Sequence, residues 1–377
     1  MFKKAFFWVF IALCVVALGG SGSVFFDAVI MPRLASTPAF ANLGFVKHFN
    51  ERVTIINKTE QVTVREDDPL EKIVSQAAAA VVTFVISDKT TGRPETGTGV
   101  LLTNDGLVAF YSNQPGDVKK FSYQAILLDG SVKAALPTGY DTLTHLAFFR
   151  LDGNPNTQAI SFANSDDARI GKKVVALGYA AADYQIRAAT GVIGDIDRTF
   201  SISGKTVASS EQWQGVFRPD IAGLDRFSGG PLVDTNGEMQ GLVGTVSLDG
   251  IVQPFALPSN AVREALDRII AGTPQKVFGA YYLPVTKALA AGQGLSRDQG
   301  ALIYSPSGKT GLALITDAPA ARAGLQVGDI ITAIGGTPVT LEDSLPKLLS
   351  HLGNTEQTDV TIVRGGEEKT VSVKWSE

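Results

Sequence analysis

Between residues 80 and 256 the chain is a succession of short apolar runs, at 80–87, 99–103, 107–111, 123–128, 146–151, 173–177, 191–196, 231–233, 238–246 and 251–256. Turn-forming residues separate them, among them Asn104-Asp105-Gly106, Asp129-Gly130 and Asn236-Gly237. Many strands at such close spacing predict a mainly β body, a sandwich or barrels. Helical spacing flanks this body. Leu70, Ile73 and Val74 share one face of a predicted helix over 69–79, and Ala261, Leu266, Ile269 and Ile270 are the apolar positions of another over 259–271. Gly272-Thr273-Pro274 marks a domain boundary, beyond which helical segments alternate with strands. There Leu345, Leu348, Leu349 and Leu352 recur at helical spacing over 341–352, with Pro346 limiting where that helix begins.

The N-terminus carries an address. Lys3 and Lys4 precede an uncharged stretch over 5–26. About 20 apolar residues span a bilayer as a helix, and the lysines would hold the N-terminus in the cytoplasm. The expectation is a membrane anchor over 1–26. If only 5–18 counts, the stretch is a secretory h-region, with Gly19-Gly20-Ser21-Gly22-Ser23 serving a signal peptidase. Either reading exports the rest of the chain. An irregular tether containing His48 follows over 27–68, then the β body over 69–272 and a last domain over 275–377.

Composition narrows the function classes. A chain of 377 residues exceeds one ordinary domain, and 45% apolar content allows a substantial core. A net charge of −4, with no cluster of Lys and Arg, argues against a nucleic-acid partner. The single cysteine, Cys14, excludes an internal disulfide, a Cys-based zinc site and an iron–sulfur cluster. No cofactor or metal is expected.

Candidate chemistry lies in three segments taken in order. They are Gly97-Thr98-Gly99-Val100-Leu101-Leu102-Thr103-Asn104-Asp105-Gly106, then Gly139-Tyr140-Asp141-Thr142-Leu143-Thr144-His145-Leu146-Ala147, then Phe227-Ser228-Gly229-Gly230-Pro231-Leu232-Val233. A serine before two glycines suits a tight turn that exposes Oγ and backbone N–H groups together, as nucleophilic acyl chemistry needs. With Phe255-Ala256-Leu257-Pro258-Ser259-Asn260, these segments resemble the HtrA (Deg) family of trypsin-like serine proteases, and the tail resembles that family's PDZ domain.

The resemblance implies two six-stranded β-barrels with the site in the cleft between them, followed by a PDZ domain. It also implies a degenerate triad. Ser228 matches the nucleophile, Asn113 stands at the histidine position, and His145 stands at the aspartate. Arg226 replaces a glycine that contributes an oxyanion-hole N–H. Imidazole can take the serine's proton and return it to the leaving amine; an amide such as Asn113 cannot. One expectation is therefore a scaffold that has lost catalysis. The alternative is a relocated base, His145, with Asp141 and Asp225 the nearest carboxylates in sequence to orient it. His351, at a helix end, reads as a surface or packing residue.

In the tail, Ala320-Ala321-Arg322-Ala323-Gly324-Leu325 followed by Val327-Gly328-Asp329-Ile330-Ile331 carries the PDZ resemblance. Phe278-Gly279-Ala280-Tyr281 lies where that domain binds a peptide's terminal carboxylate, and Leu345 is a candidate for the groove wall. Residues 301–315 look like an added hairpin. The expected partners are unfolded polypeptides or protein C-termini in the cell envelope, with a homo-trimer implied by the family. Three readings stay open: a catalytically impaired, membrane-tethered binder, an active endopeptidase using Ser228, and an assembly factor acting through its barrels alone.

Overall fold

The computed structural model describes residues 19, 67–112, 116–153, 158–179, 185–205, 207–248, 250–273, 275–306 and 313–375. Apart from residue 19, the expected anchor lies outside the described residues, as do nearly all of the tether with His48, Asn113 and the tip of the 301–315 hairpin. No helix among the described residues is long and apolar enough to cross a membrane. Residues 66–377 form one compact unit.

Helix α1 (Asp67–Ala78) turns Ile73 and Ala77 into the core, with Leu70 and Val74 packed beside them. Six strands follow: β1 (Val81–Asp88), β2 (Pro94–Leu101), β3 (Leu107–Tyr111), β4 (Phe121–Ile126), β5 (Val132–Asp141) and β6 (Leu146–Leu151). They close into a barrel in the order β1-β2-β3-β6-β5-β4. Strand β5 carries no apolar run, because Pro137 and Gly139 interrupt it. A register shift between those two residues absorbs the break, and a Cβ at Gly139 would sit 2.7 Å from Ile269 Cδ1.

The second barrel is built from β7 (Lys173–Tyr179), β8 (Ile186–Ser201), β10 (Gln214–Asp220), β11 (Pro231–Val233), β12 (Met239–Leu248) and β13 (Ile251–Pro258), in the order β10-β13-β12-β11-β7-β8. Strand β8 is far longer than its predicted core of 191–196. Strand β10 is also absent from the apolar pattern, since it holds Gly215 and Pro219 beside two register shifts. Helix α2 (Ser259–Ala271) buries Ala261, Val262, Ala265 and Leu266. Ile270, expected on its apolar face, is instead 64% exposed.

The third sheet runs β19-β18-β16-β15-β14-β9, with β17 beside β16. Its strands are β14 (Tyr281–Pro284), β15 (Ala301–Ile303), β16 (Ile330–Ile334), β17 (Thr337–Pro338), β18 (Gln357–Arg364) and β19 (Glu367–Lys374). Short helices α3 (Lys287–Gln293), α4 (Pro319–Arg322) and α5 (Leu345–Ser350) cap it. Helix α5 starts at Leu345, the first of the spaced leucines, with Pro346 in the first turn, where a missing N–H costs nothing. Asp329, 1% exposed in its side chain, is held by Arg364 Nε and Nη2, both at 2.7 Å. The remaining strand, β9 (Ala208–Ser209), comes from the β8–β10 connection of the second barrel yet pairs with β14.

Candidate active site and peptide groove

Ser228 follows a 3₁₀ turn, Leu224–Phe227, and precedes β11. Gly229 N donates to Val243 O at 2.7 Å and Val243 N returns to Gly230 O at 2.9 Å, pinning the turn to β12. Gly229 has φ +86, and a Cβ there would lie 2.0 Å from Thr98 O of the first barrel. A Cβ at Gly230 would lie 1.9 Å from Leu177 O. Both glycines are therefore demanded by backbone approach, whether or not the serine reacts.

The half-buried hydroxyl lines a cleft of about 380 Å³ together with Thr98, Tyr111, Tyr179, Arg187 and Arg226. An oxyanion hole needs free N–H groups aimed at the developing charge. Here Arg226 N donates to Gly223 O at 3.1 Å and Ser228 N to Asp225 O at 3.2 Å, so both amides are spent inside the turn. Tyr111, in the same cleft, offers no base: burial pushes its phenol far above its ordinary range, and its hydroxyl has no partner among the described residues.

His145 precedes β6 with φ 57, a left-handed conformation rare outside glycine, and Ser112 N anchors its carbonyl at 2.9 Å. Its Nε2 lies 3.1 Å from Gln212 Nε2, and its buried Nδ1 has no partner among the described residues. Gln212 Oε1 is also buried without a partner among the described residues, so the orientation of that amide sets which ring nitrogen carries the hydrogen. Burial lowers the imidazole's affinity for a second proton, opposed by the Asp141 carboxylate.

No hydrogen bond joins His145 to Ser228 among the described residues. Nor does either expected carboxylate orient the ring. Asp141 accepts from Thr144 Oγ1 at 2.5 Å and from Arg268 Nε and Nη2 at 3.2 and 2.8 Å. Asp225 is exposed, and its carbonyl holds Ser228 N. His351 pairs with Glu264 Oε2 at 3.3 Å on the surface.

The Phe278–Tyr281 segment opens β14. Phe278 is fully buried and Gly279 has φ +81. Phe278 N and Gly279 N donate to Glu211 Oε1 at 3.0 and 2.8 Å, and Ala280 N donates to Ser210 Oγ at 2.9 Å. Leu345, the expected wall residue, is 0% exposed in a cluster that also contains Phe278 and Ala208. Beyond the hairpin tip, Ile315 N bonds Gly279 O at 2.9 Å, so the added segment returns against this loop. Glu211, Ser210 and Gln212 escape sequence reasoning, because Ser209-Ser210-Glu211-Gln212 is a polar run with no periodic signal.

Comparison with known proteins agrees with this architecture. The trypsin-like peptidase domain family matches residues 83–242, and the PDZ domain family matches 296–375. A probable periplasmic serine endoprotease, DegP-like, of Rhizobium meliloti (strain 1021) is 28% identical over 284 residues, covering 74% of this chain and 52% of that protein. Its counterpart in Pseudomonas fulva (strain 12-X) is 27% identical over 283 residues, covering 74% and 55%. The chain thus spans about half the length of the curated relatives it matches. Among solved structures, the HtrA-type protease AlgW with a tripeptide superposes with a TM-score of 0.60 at 22% identity, covering 81% of this chain and 95% of that one, a likeness of fold. Two family matches in this order, together with the DegP-like relatives, support the HtrA family for this chain.

Proposed function

We propose that this chain is a membrane-tethered HtrA-family protein of the cell envelope that captures polypeptides through its PDZ domain and is catalytically impaired at Ser228. One observation carries the reading: the N–H groups of Arg226 and Ser228 both end on carbonyls of their own turn, while the imidazole of His145 faces Gln212. Without a base, turnover in such a unit falls on the order of a million-fold. Loss of one oxyanion donor costs about a further hundred- to thousandfold. The envelope location is supported by relatives named as periplasmic, and the anchor over 1–26 by its uncharged run. Peptide binding is supported by the row of amides at Phe278–Ala280 and by an HtrA-type neighbour solved with a tripeptide. Assembly as a trimer follows the family.

A second reading, an active endopeptidase with His145 as base, is favoured by the relatives' name of serine endoprotease and by the unpartnered Nδ1 of that ring. It requires the Arg226 peptide to turn and the ring to leave Gln212. Incubation of the purified full chain with unfolded casein separates the two. Under the first reading casein stays intact and Ser228→Ala changes nothing. Cleavage that Ser228→Ala abolishes would establish the second.

A further inference from the structure

Three consecutive backbone N–H groups form a ready anion site at the head of β14, with a glycine of positive φ among them. The anion in it belongs to this chain. Besides accepting from Phe278 N and Gly279 N, Glu211 Oε1 accepts from Ser210 Oγ at 2.7 Å, and Oε2 accepts from Ser209 Oγ at 2.9 Å. Behind the carboxylate the main chain lies as an added strand, with Ser209 opposite Tyr281 and Ala208 opposite Tyr282 in antiparallel register. Ser210 N closes the pairing on Ala280 O at 2.9 Å. Ala208, 2% exposed, drops into the cluster that holds Phe278 and Leu345. A peptide that extends a sheet edge while its terminal carboxylate sits on backbone amides makes the same set of contacts. Here the Glu211 side chain stands in for the terminus.

We propose that residues 207–211 are an internal ligand of the PDZ groove, and that an incoming polypeptide C-terminus binds only by displacing the Glu211 carboxylate from the Phe278 and Gly279 amides. This rests on the peptide-binding reading of that loop. The groove is competent only in the fraction of molecules whose strand has left, so the apparent affinity for any ligand falls by that fraction. The occupant is tethered on both sides to the second barrel, which keeps its effective concentration high. The contacts it makes also define what replaces it: a free α-carboxylate for the amides, an extended backbone for β14, and a small side chain three residues before the terminus, where Ala208 sits. Gln212, next in sequence, faces His145 Nε2, so departure of the strand is felt at that ring.

Two measurements on the full chain test this. The first compares the amide proton shifts of Phe278 and Gly279 in wild type and Glu211→Gln. Both shifts are expected to move upfield in the variant, which keeps an acceptor but loses the charge; unchanged shifts overturn the occupancy, whatever peptides do. The second titrates an Ala-containing peptide with a free C-terminus, and its amidated form, into wild type, Glu211→Gln and Glu211→Ala. The free peptide is expected to bind the variants roughly ten- to a hundredfold more tightly than wild type, the worth of a pair of charge-assisted hydrogen bonds. The amidated form is expected to gain nothing. Equal affinity for wild type and variants overturns the competition while leaving peptide binding intact. Shifted amides with no binding to any form overturn displacement, together with the peptide-binding reading.

Discussion

Ser228 keeps its hydroxyl in a cleft, while the Arg226 and Ser228 amides end on carbonyls of their own turn and His145 Nε2 faces Gln212. Gly229 and Gly230 lie where barrel two meets backbone oxygens, so Gly229→Ala must adopt φ +86 and thrust its Cβ at Thr98 O. It is expected to lose about 2–5 kcal/mol in urea unfolding, from strain and overpacking combined. His145 makes a second prediction. Burial holds its imidazole below the usual range, so below about pH 6.5 the unfolded chain takes up a proton that the folded one resists. Stability therefore falls as the pH drops from about 7 toward 5. His145→Asn, which tolerates the left-handed backbone, is expected to flatten that slope when melting is followed across this range. The positions of Ser228, His145 and Arg226 are legible from sequence motifs alone. The direction of the Arg226 N–H is not, because a 3₁₀ turn sets it, and the partner of Asp141 is Arg268, 127 residues away.

At the scale of elements, α2 is locked to β5 by the Asp141–Arg268 pair, whose side chains are 4% and 11% exposed. Arg268→Ala leaves a buried carboxylate without its cation and is expected to cost about 3–5 kcal/mol, read from the urea midpoint. Asp141→Asn in the same chain should recover part of that loss, because no unpaired charge then remains. Helix α2 and strands β3, β6 and β11 stand where hydrophobic spacing puts them, with identical bounds. Strands β5 and β10 were invisible because proline and glycine break their pattern, and only the register shifts across the barrel show how they are accommodated. Helix α5 begins at the first of its four leucines, with Pro346 in its first turn, and ends at Ser350, short of Leu352.

Over the molecule as a whole, the third sheet is completed by a strand from the second barrel, and Tyr282 Oη donates to Gln214 Oε1 at 2.5 Å in the same buried seam. The two domains are thus expected to melt in one calorimetric transition in wild type, and Ser210→Ala with Glu211→Ala should split it into two. Nothing in the order of residues announces this junction, since a polar run becomes a strand only when a groove receives it. That run touches both candidate sites, since Glu211 accepts from the Gly279 amide and Gln212 faces His145. The most direct test of the impaired site is covalent labelling by a fluorophosphonate, which demands an activated serine. Full chain treated with the reagent and read by mass spectrometry is predicted to carry no more label on Ser228 than heat-denatured chain does. Rapid modification of Ser228 in the folded protein, lost on denaturation, would contradict the account.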